Sequence, residues 1–435
     1  MGLDYERVDE LPAKKTTVEM SDGPAGLASS RFRTVIAGEA VSLTGDTAYV
    51  VAFAWLVLDQ TGSAATLGLA LLAGAVPRAI LLLVGGATSD RYSPRTIMLA
   101  SHLGRAAVVT VVCVLTFSDN LDTWALFATS ALFGVADAFF YPASNSVLPL
   151  LVPDHELARA NAVTVAVQNV AQLIGPLIAG VLIAVAETSL VLALNALTFF
   201  VAAATVVAVP ARSVADTDDE PTALLQEVVD SVPYVLRRPE MRVVLALISV
   251  ATLSYSGLFA VGLPAYARSL PEGSVALGML LTAWFAGQVL GTTAASFTSL
   301  PARWGMFVMA MTTIEGLAFL LLAFRLDLIL AAAVLMTLGV GVAYSSDVAL
   351  PTFIQLRTPP LMLGRVNSVM ELPRVVLEPI SLAVMGVIAG VRPSLAFLFA
   401  SIPLLILGSI LASRSSVRSL RLERHGAEAG ETSPT

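Results

Sequence analysis

Residues 85–95 read GGATSDRYSPR. The stretch closes one long apolar run, ILLLVGGATS, and precedes another, TIMLASHLG. It carries Asp90, Arg91 and Arg95 behind a glycine pair. A run of about 20 apolar residues crosses a bilayer as a helix. A charged knot between two such runs therefore reads as a tight turn at a membrane face.

The whole chain has that texture. Of its 435 residues 56% are hydrophobic and 13% charged, against about 25% charged in soluble domains, and the mean hydropathy is +0.81. About twelve apolar runs are long enough to span, between residues 34 and 413. The expected fold is thus an all-α membrane protein of twelve transmembrane helices, with the lipid bilayer as its surroundings. The single Cys113 excludes an internal disulfide, and His102, His155 and His425 are scattered, so no metal site is expected. The segment before Phe32 is polar and the first apolar run is too long for a cleavable signal. The net charge of −7 comes largely from the tails and one linker and excludes a nucleic-acid footprint.

An even number of spans puts both termini on one side. About nineteen Lys and Arg fall on that side, Arg91 and Arg95 among them, and the opposite loops hold only Arg268, Arg325 and Arg392. By the positive-inside rule both termini are cytoplasmic, and the knot lies between spans 2 and 3 on the cytoplasmic face. The polar linker ARSVADTDDEPTALLQE, 211–227, separates six spans from six. The expected division is a tail (1–31), a six-helix bundle (32–210), a linker (211–241), a second six-helix bundle (242–413) and a tail (414–435). The linker's later part, through LLQEVVDSVPYVLRRPEMR, suits a short surface helix. An internal repeat supports the split. LLVPDHELARANAV (150–163) and LRTPPLMLGRVNSV (356–369) align at an offset of 206, matching Leu150, Pro153, Leu157, Arg159, Asn161 and Val163 to Leu356, Pro359, Leu363, Arg365, Asn367 and Val369. Two halves repeated in one orientation is a transporter plan.

With these residues in view, GxxxDRxxxR between spans 2 and 3 resembles the signature loop of the major facilitator superfamily. Gly86, Asp90, Arg91 and Arg95 fall on the pattern, while Ser93 and Pro94 stand where the family prefers Gly and Arg. GDTAYVVAFAWLVLDQTGS (45–63), DAFFYPASNSVLPLLVP (137–153) and GPLIAG (175–180) are similar to the bacterial branch of siderophore exporters and macrolide efflux pumps. The resemblance implies that the knot latches the two halves on the cytoplasmic side. Gly86 would allow close approach of helices, Asp90 would face the N-terminus of helix 11, and Arg91 or Arg95 would pair with Asp137 near the end of helix 4. Glu371, in the first turn of helix 11, would join the latch. The plain alternative is that these residues fix only topology and a turn.

A charge inside the membrane costs at least about 2.5–3.5 kcal/mol, so each one needs a reason. Glu39 and Asp46 in span 1 are seven residues apart, on nearly one helical face. A carboxylate at the depth of Asp46 is what a proton-coupled carrier needs; the alternative is a carboxylate hydrogen-bonded to Thr44 or Thr47. Glu371, Arg374 and Glu378 form a stripe on span 11. At the repeat offset Gln168 and Gln172 occupy the places of Arg374 and Glu378, so spans 5 and 11 would present matched polar stripes to a central cavity. Arg78 either neutralises Asp46, or holds an anionic substrate, or is a structural counter-ion. Arg105 and His102 are expected to reach the cytoplasmic face, and Glu315 of span 9 to face lipid or a partner chain.

The reading that follows is a secondary transporter driven by the proton gradient, without a cofactor. It would export a small amphipathic organic compound such as a drug, antibiotic or siderophore by alternating access, as a monomer in the cytoplasmic membrane of a bacterium. No GxxxxGK[ST] loop is present for ATP, and no catalytic constellation marks a membrane enzyme. An importer or facilitator of the same fold is the alternative.

Overall fold

Helix ends follow from local chemistry. Ser29, Ser63, Asp122 and Asp327 cap four spanning helices, each accepting a hydrogen bond from the amide three residues on. Pro94, Pro239 and Pro393 each begin a helix, where the missing N–H is harmless. The computed structural model describes residues 26–210, 231–299, 301–359, 362–418 and 420, without the side chains at 83, 84, 86, 87, 89–91 and 416.

Twelve helices are long and apolar enough to cross a membrane. In chain order they are α1 (Ser30–Thr61), α2 (Ala64–Arg91), α3 (Pro94–Phe117), α4 (Thr123–Asn145), α5 (Leu157–Ala186), α6 (Thr188–Val206), α7 (Pro239–Arg268), α8 (Ser274–Phe297), α9 (Trp304–Leu322), α10 (Leu328–Arg357), α11 (Leu363–Val391) and α12 (Pro393–Ser413). Among the described residues there is no strand. The protein is a multi-pass membrane protein. Two of the helices are not α throughout: α7 contains a π turn at Leu258–Gly262 and α10 one at Ala343–Ala349.

α1 packs on α5 and α6, α2 on α4, and α3 on α4 and α6. In the second half α7 packs on α11, α8 on α10, and α9 on α12. The halves meet where α2 crosses α11 and α5 crosses α8. The repeat at offset 206 has a structural counterpart: Leu157 opens α5 and Leu363 opens α11. The linker's segment 231–237 is helical and buries Val235 against Met241 and Trp304. The tails through residue 25 and from 421, and the acidic linker 211–230, lie outside the described residues.

The two crossings lie at the end of the bundle away from the termini. At the first, a Cβ on Gly68 would meet the Leu382 carbonyl and the Gly386 backbone. At the second, a Cβ on Gly180 would meet the Ser274 carbonyl, and Gly278 lies against Pro176. Small residues let the backbones approach this closely, which is how helices associate where no water drives them together. The Ser274 hydroxyl donates to the Gly180 carbonyl at 3.0 Å and the Thr282 hydroxyl to the Leu173 carbonyl at 3.1 Å. Asp59 and Arg268 add an exposed ion pair of 3.8 Å. At the terminal end, by contrast, Phe297 of α8 and Glu371 and Arg374 of α11 are exposed. The bundle is closed at one end and open toward its termini.

Candidate functional site

A cavity of about 300 Å³ lies between the halves at mid-membrane. α1 supplies Asp46 and Tyr49, α2 Arg78, α4 Asp137 and Tyr141, and α11 Glu378. Ala260, in the π turn of α7, and Leu382 complete its far wall.

The charges around it are organised by two arginines. Arg105 of α3 is only 2% exposed and stands between two carboxylates, 3.0 Å from Asp137 and 3.5 Å from Asp46. Its guanidinium lies 4.0 Å from the Phe140 ring centroid, a cation–π contact that holds it between the acids. Asp46 Oδ1 and Arg105 Nε are buried without a hydrogen-bond partner, so the cluster keeps capacity for a further proton or ligand. Arg78 of α2 pairs with Glu378 of α11, an ion pair that joins the two halves across the cavity. Nearer the termini, by about two turns of α1 and just under one of α3, His102 meets Glu39 at 3.3 Å, wedged between Phe140 and Phe199.

Several expectations need correction. Arg105 and His102 do not reach for the membrane face; both are buried, and Arg105 is the partner of Asp46. Arg105 sits halfway along α3, a position that counting from Pro94 already implied. The Thr47 hydroxyl donates to the Ala171 carbonyl, not to Asp46, and Thr44 donates to Ala40 within its own helix. Arg78 does not neutralise Asp46 but pairs with Glu378. Asp137 belongs to the central cluster, paired with Arg105, rather than to the loop latch. Glu371 is two turns into α11, not in its first turn, and makes an exposed i,i+3 pair with Arg374 at 3.4 Å. Gln168 is exposed and Gln172 half-buried, and neither lines the central cavity. Glu315 faces inward, not toward lipid. Of the signature loop, Gly86, Asp90 and Arg91 lie outside the described side chains, and Arg95 is half-buried in the first turn of α3. Tyr49 and Tyr141 were not singled out by sequence; no spacing marks an aromatic as a cavity wall.

A second cavity, of about 710 Å³, lies within the C-terminal half. α7 gives Tyr255 and Ser256, α8 Trp284 and Gln288, α9 Glu315, α10 Asp347, and α11 Arg374. Among the described residues no three His, Cys, Asp or Glu side chains are grouped to hold a metal.

A sequence model of the Major Facilitator Superfamily matches residues 35–373. Macrolide efflux protein A of Streptococcus pyogenes is 31% identical over 176 residues, 40% of this chain and 44% of that relative. The match therefore spans less than half of that protein's length. The multidrug efflux pump Tap of Mycolicibacterium fortuitum is 28% identical over 386 residues, covering 86% of this chain and 93% of Tap. Among solved structures, a mutant of the nucleoside transporter NupG superposes with a TM-score of 0.70 at 11% identity, over 88% of this chain and 99% of that one. A bacterial homologue of the iron transporter ferroportin, in an inward-facing state, superposes with a TM-score of 0.65 at 16% identity, over 90% and 99%. These two likenesses concern the fold.

Proposed function

The chain belongs to the Major Facilitator Superfamily, a family of transporters and not of enzymes, and from that premise we propose that it exports a small amphipathic organic compound in exchange for protons. The reading places it as a monomer in the cytoplasmic membrane of a bacterium, both termini inside, with the proton gradient as energy source and no cofactor. The similarity to macrolide and multidrug efflux proteins supports the outward direction.

The observation that carries the mechanism is the Arg78–Glu378 ion pair beside the Arg105-centred acids. It ties the halves together through a carboxylate that a proton can neutralise. In the conformation described, the end away from the termini is sealed and the cavity opens toward the termini, which in this topology is the cytoplasm. Cargo enters from that side or from the inner leaflet. A proton on Asp46 or Glu378 frees Arg105 or Arg78 from part of its pairing, and cargo and proton compete for the same charged cluster. A ligand shifts the balance of open states only by binding them unequally. An acid that is paired across the halves in one state and parted in the other supplies such a difference.

The test is flux in purified proteoliposomes. A panel of fluorescent amphiphiles and macrolides is followed under imposed pH gradients of either sign, with wild type beside Asp46→Asn and Glu378→Gln. Flux that follows the gradient, collapses with a protonophore and falls at least about tenfold in either variant is expected. Flux indifferent to the gradient in all three proteins would make the acids structural and the protein a facilitator.

A further inference from the structure

Among the described residues, most acids set toward the middle of the spanning helices have a base within ion-pair distance, and Asp347 and Glu315 do not. Glu39 meets His102, Asp46 and Asp137 meet Arg105, Glu378 meets Arg78, and Asp347 lies within electrostatic reach of Arg374. Glu315 of α9 is 6% exposed and has no Lys, Arg or His within ion-pair distance among the described residues. It lines the 710 Å³ cavity of the C-terminal half. The Tyr255 hydroxyl faces its carboxylate as a polar neighbour. A carboxylate with no base beside it at this depth is expensive, and it lies in a chamber large enough for a drug-sized molecule.

The walls beside Glu315 are aromatic. The Tyr255 ring lies 5.6 Å from that of Trp284 and 4.9 Å from that of Phe319, and Phe259 packs 4.6 Å from Trp284. Tyr255 and Trp284 both face the chamber. A carboxylate beside aromatic rings is the setting in which a cation without a fixed hydration shell binds best, since ring faces attract positive charge and tolerate methyl and methylene groups. A divalent metal asks for several oxygen ligands, and no such group converges among the described residues. At its other end the chamber is lined by Asn367, Glu371 and Arg374, of which the last two are exposed at the open side, so a path leads in.

We propose that this chamber is a binding site for an organic ammonium ion, a monovalent amphipathic amine or quaternary ammonium compound, whose charge is met by Glu315 and the rings of Tyr255 and Trp284. The site is separate from the cluster around Arg105. It rests on the efflux reading only in making that ion a cargo.

The experiment is a calorimetric titration of the purified full chain in detergent with benzyltriethylammonium, with benzyl alcohol as uncharged control. Saturable binding of the cation is expected, weakened at least about tenfold in Glu315→Gln and several-fold in Trp284→Leu, with the alcohol showing no dependence on Glu315. Equal affinity in wild type and Glu315→Gln, or no binding in wild type, would overturn the proposal. Should Glu315→Gln fail to yield monodisperse protein, Glu315→Asp takes its place, since it keeps the charge and withdraws it by one methylene. Several-fold weakening is then expected, and unchanged affinity overturns the site. The titration runs without a gradient. Absence of driven flux in proteoliposomes would sink the efflux reading and leave this one standing, and a silent Glu315 would do the reverse.

Discussion

The two halves share one topology and handle buried charge in opposite ways. The N-terminal half gathers Asp46, Asp137 and Arg105 into a tight cluster, packed by Phe140, beside a cavity of about 300 Å³. The C-terminal half spreads Glu315, Asp347 and Arg374 around a cavity of about 710 Å³, and the backbone of α10 loosens into a π turn along it. π turns occur often at functional sites. The first half is built to hold charge in place, the second to accommodate something.

The strongest way to break this contrast is to remove the organiser of the N-terminal cluster. Arg105→Leu leaves two buried carboxylates without their base and should destabilise the protein by about 3–5 kcal/mol. The thermal unfolding midpoint in detergent reads this, and Arg105→Lys should recover part of the loss. A midpoint unchanged in Arg105→Leu would mean that the acids are neutral and the cluster is no cluster.

Next in size is the seal between the halves. Gly68→Val drives a side chain into the Leu382 carbonyl and the Gly386 backbone and should disfavour the closed end by about 1–3 kcal/mol. Faster hydrogen exchange in the last turns of α11 is the expected sign. Unchanged exchange would show that the crossing does not govern which end is shut.

A smaller effect belongs to the ion pair between halves. Arg78 and Glu378 are partly exposed to the cavity, so Arg78→Ala should cost about 1 kcal/mol. That corresponds to a shift of about fivefold between open states. A double-mutant cycle with Glu378→Gln isolates the coupling, and additive effects would deny it. Smallest of all, Glu371→Ala removes an exposed i,i+3 pair and should change stability by less than about 0.5 kcal/mol. A large loss there would place Glu371 in a contact that this open state lacks.

Much of the fold could be read from the chain. Span number follows from hydropathy, because the bilayer imposes length and polarity on each segment, and the correspondence of α5 with α11 follows from the offset of 206. The site was legible in its parts but not in its pairings. Asp46, Arg78, Asp137 and Glu378 stand out because charge in lipid is rare. Which base answers which acid depends on the azimuth and depth of helices far apart in sequence, and so Arg105 was assigned to the surface and Asp137 to the loop. Glu315 shows the same limit from the other side. The periphery assigned to α9 pointed its acid toward lipid, and only the packing of α7, α9 and α10 reveals the chamber it enters.

The central charges also have an electrical meaning. Asp46, Asp137 and Glu378 against Arg78 and Arg105 leave one net negative charge when all are ionised. A single bound proton cancels it. The membrane potential does work of about 2.3 kcal/mol per charge per 100 mV on whatever charge crosses it. The proton-loaded cluster is therefore blind to voltage while the unloaded one feels it. Under the proposed exchange, the stroke that returns without its proton is the one the cell's potential can push.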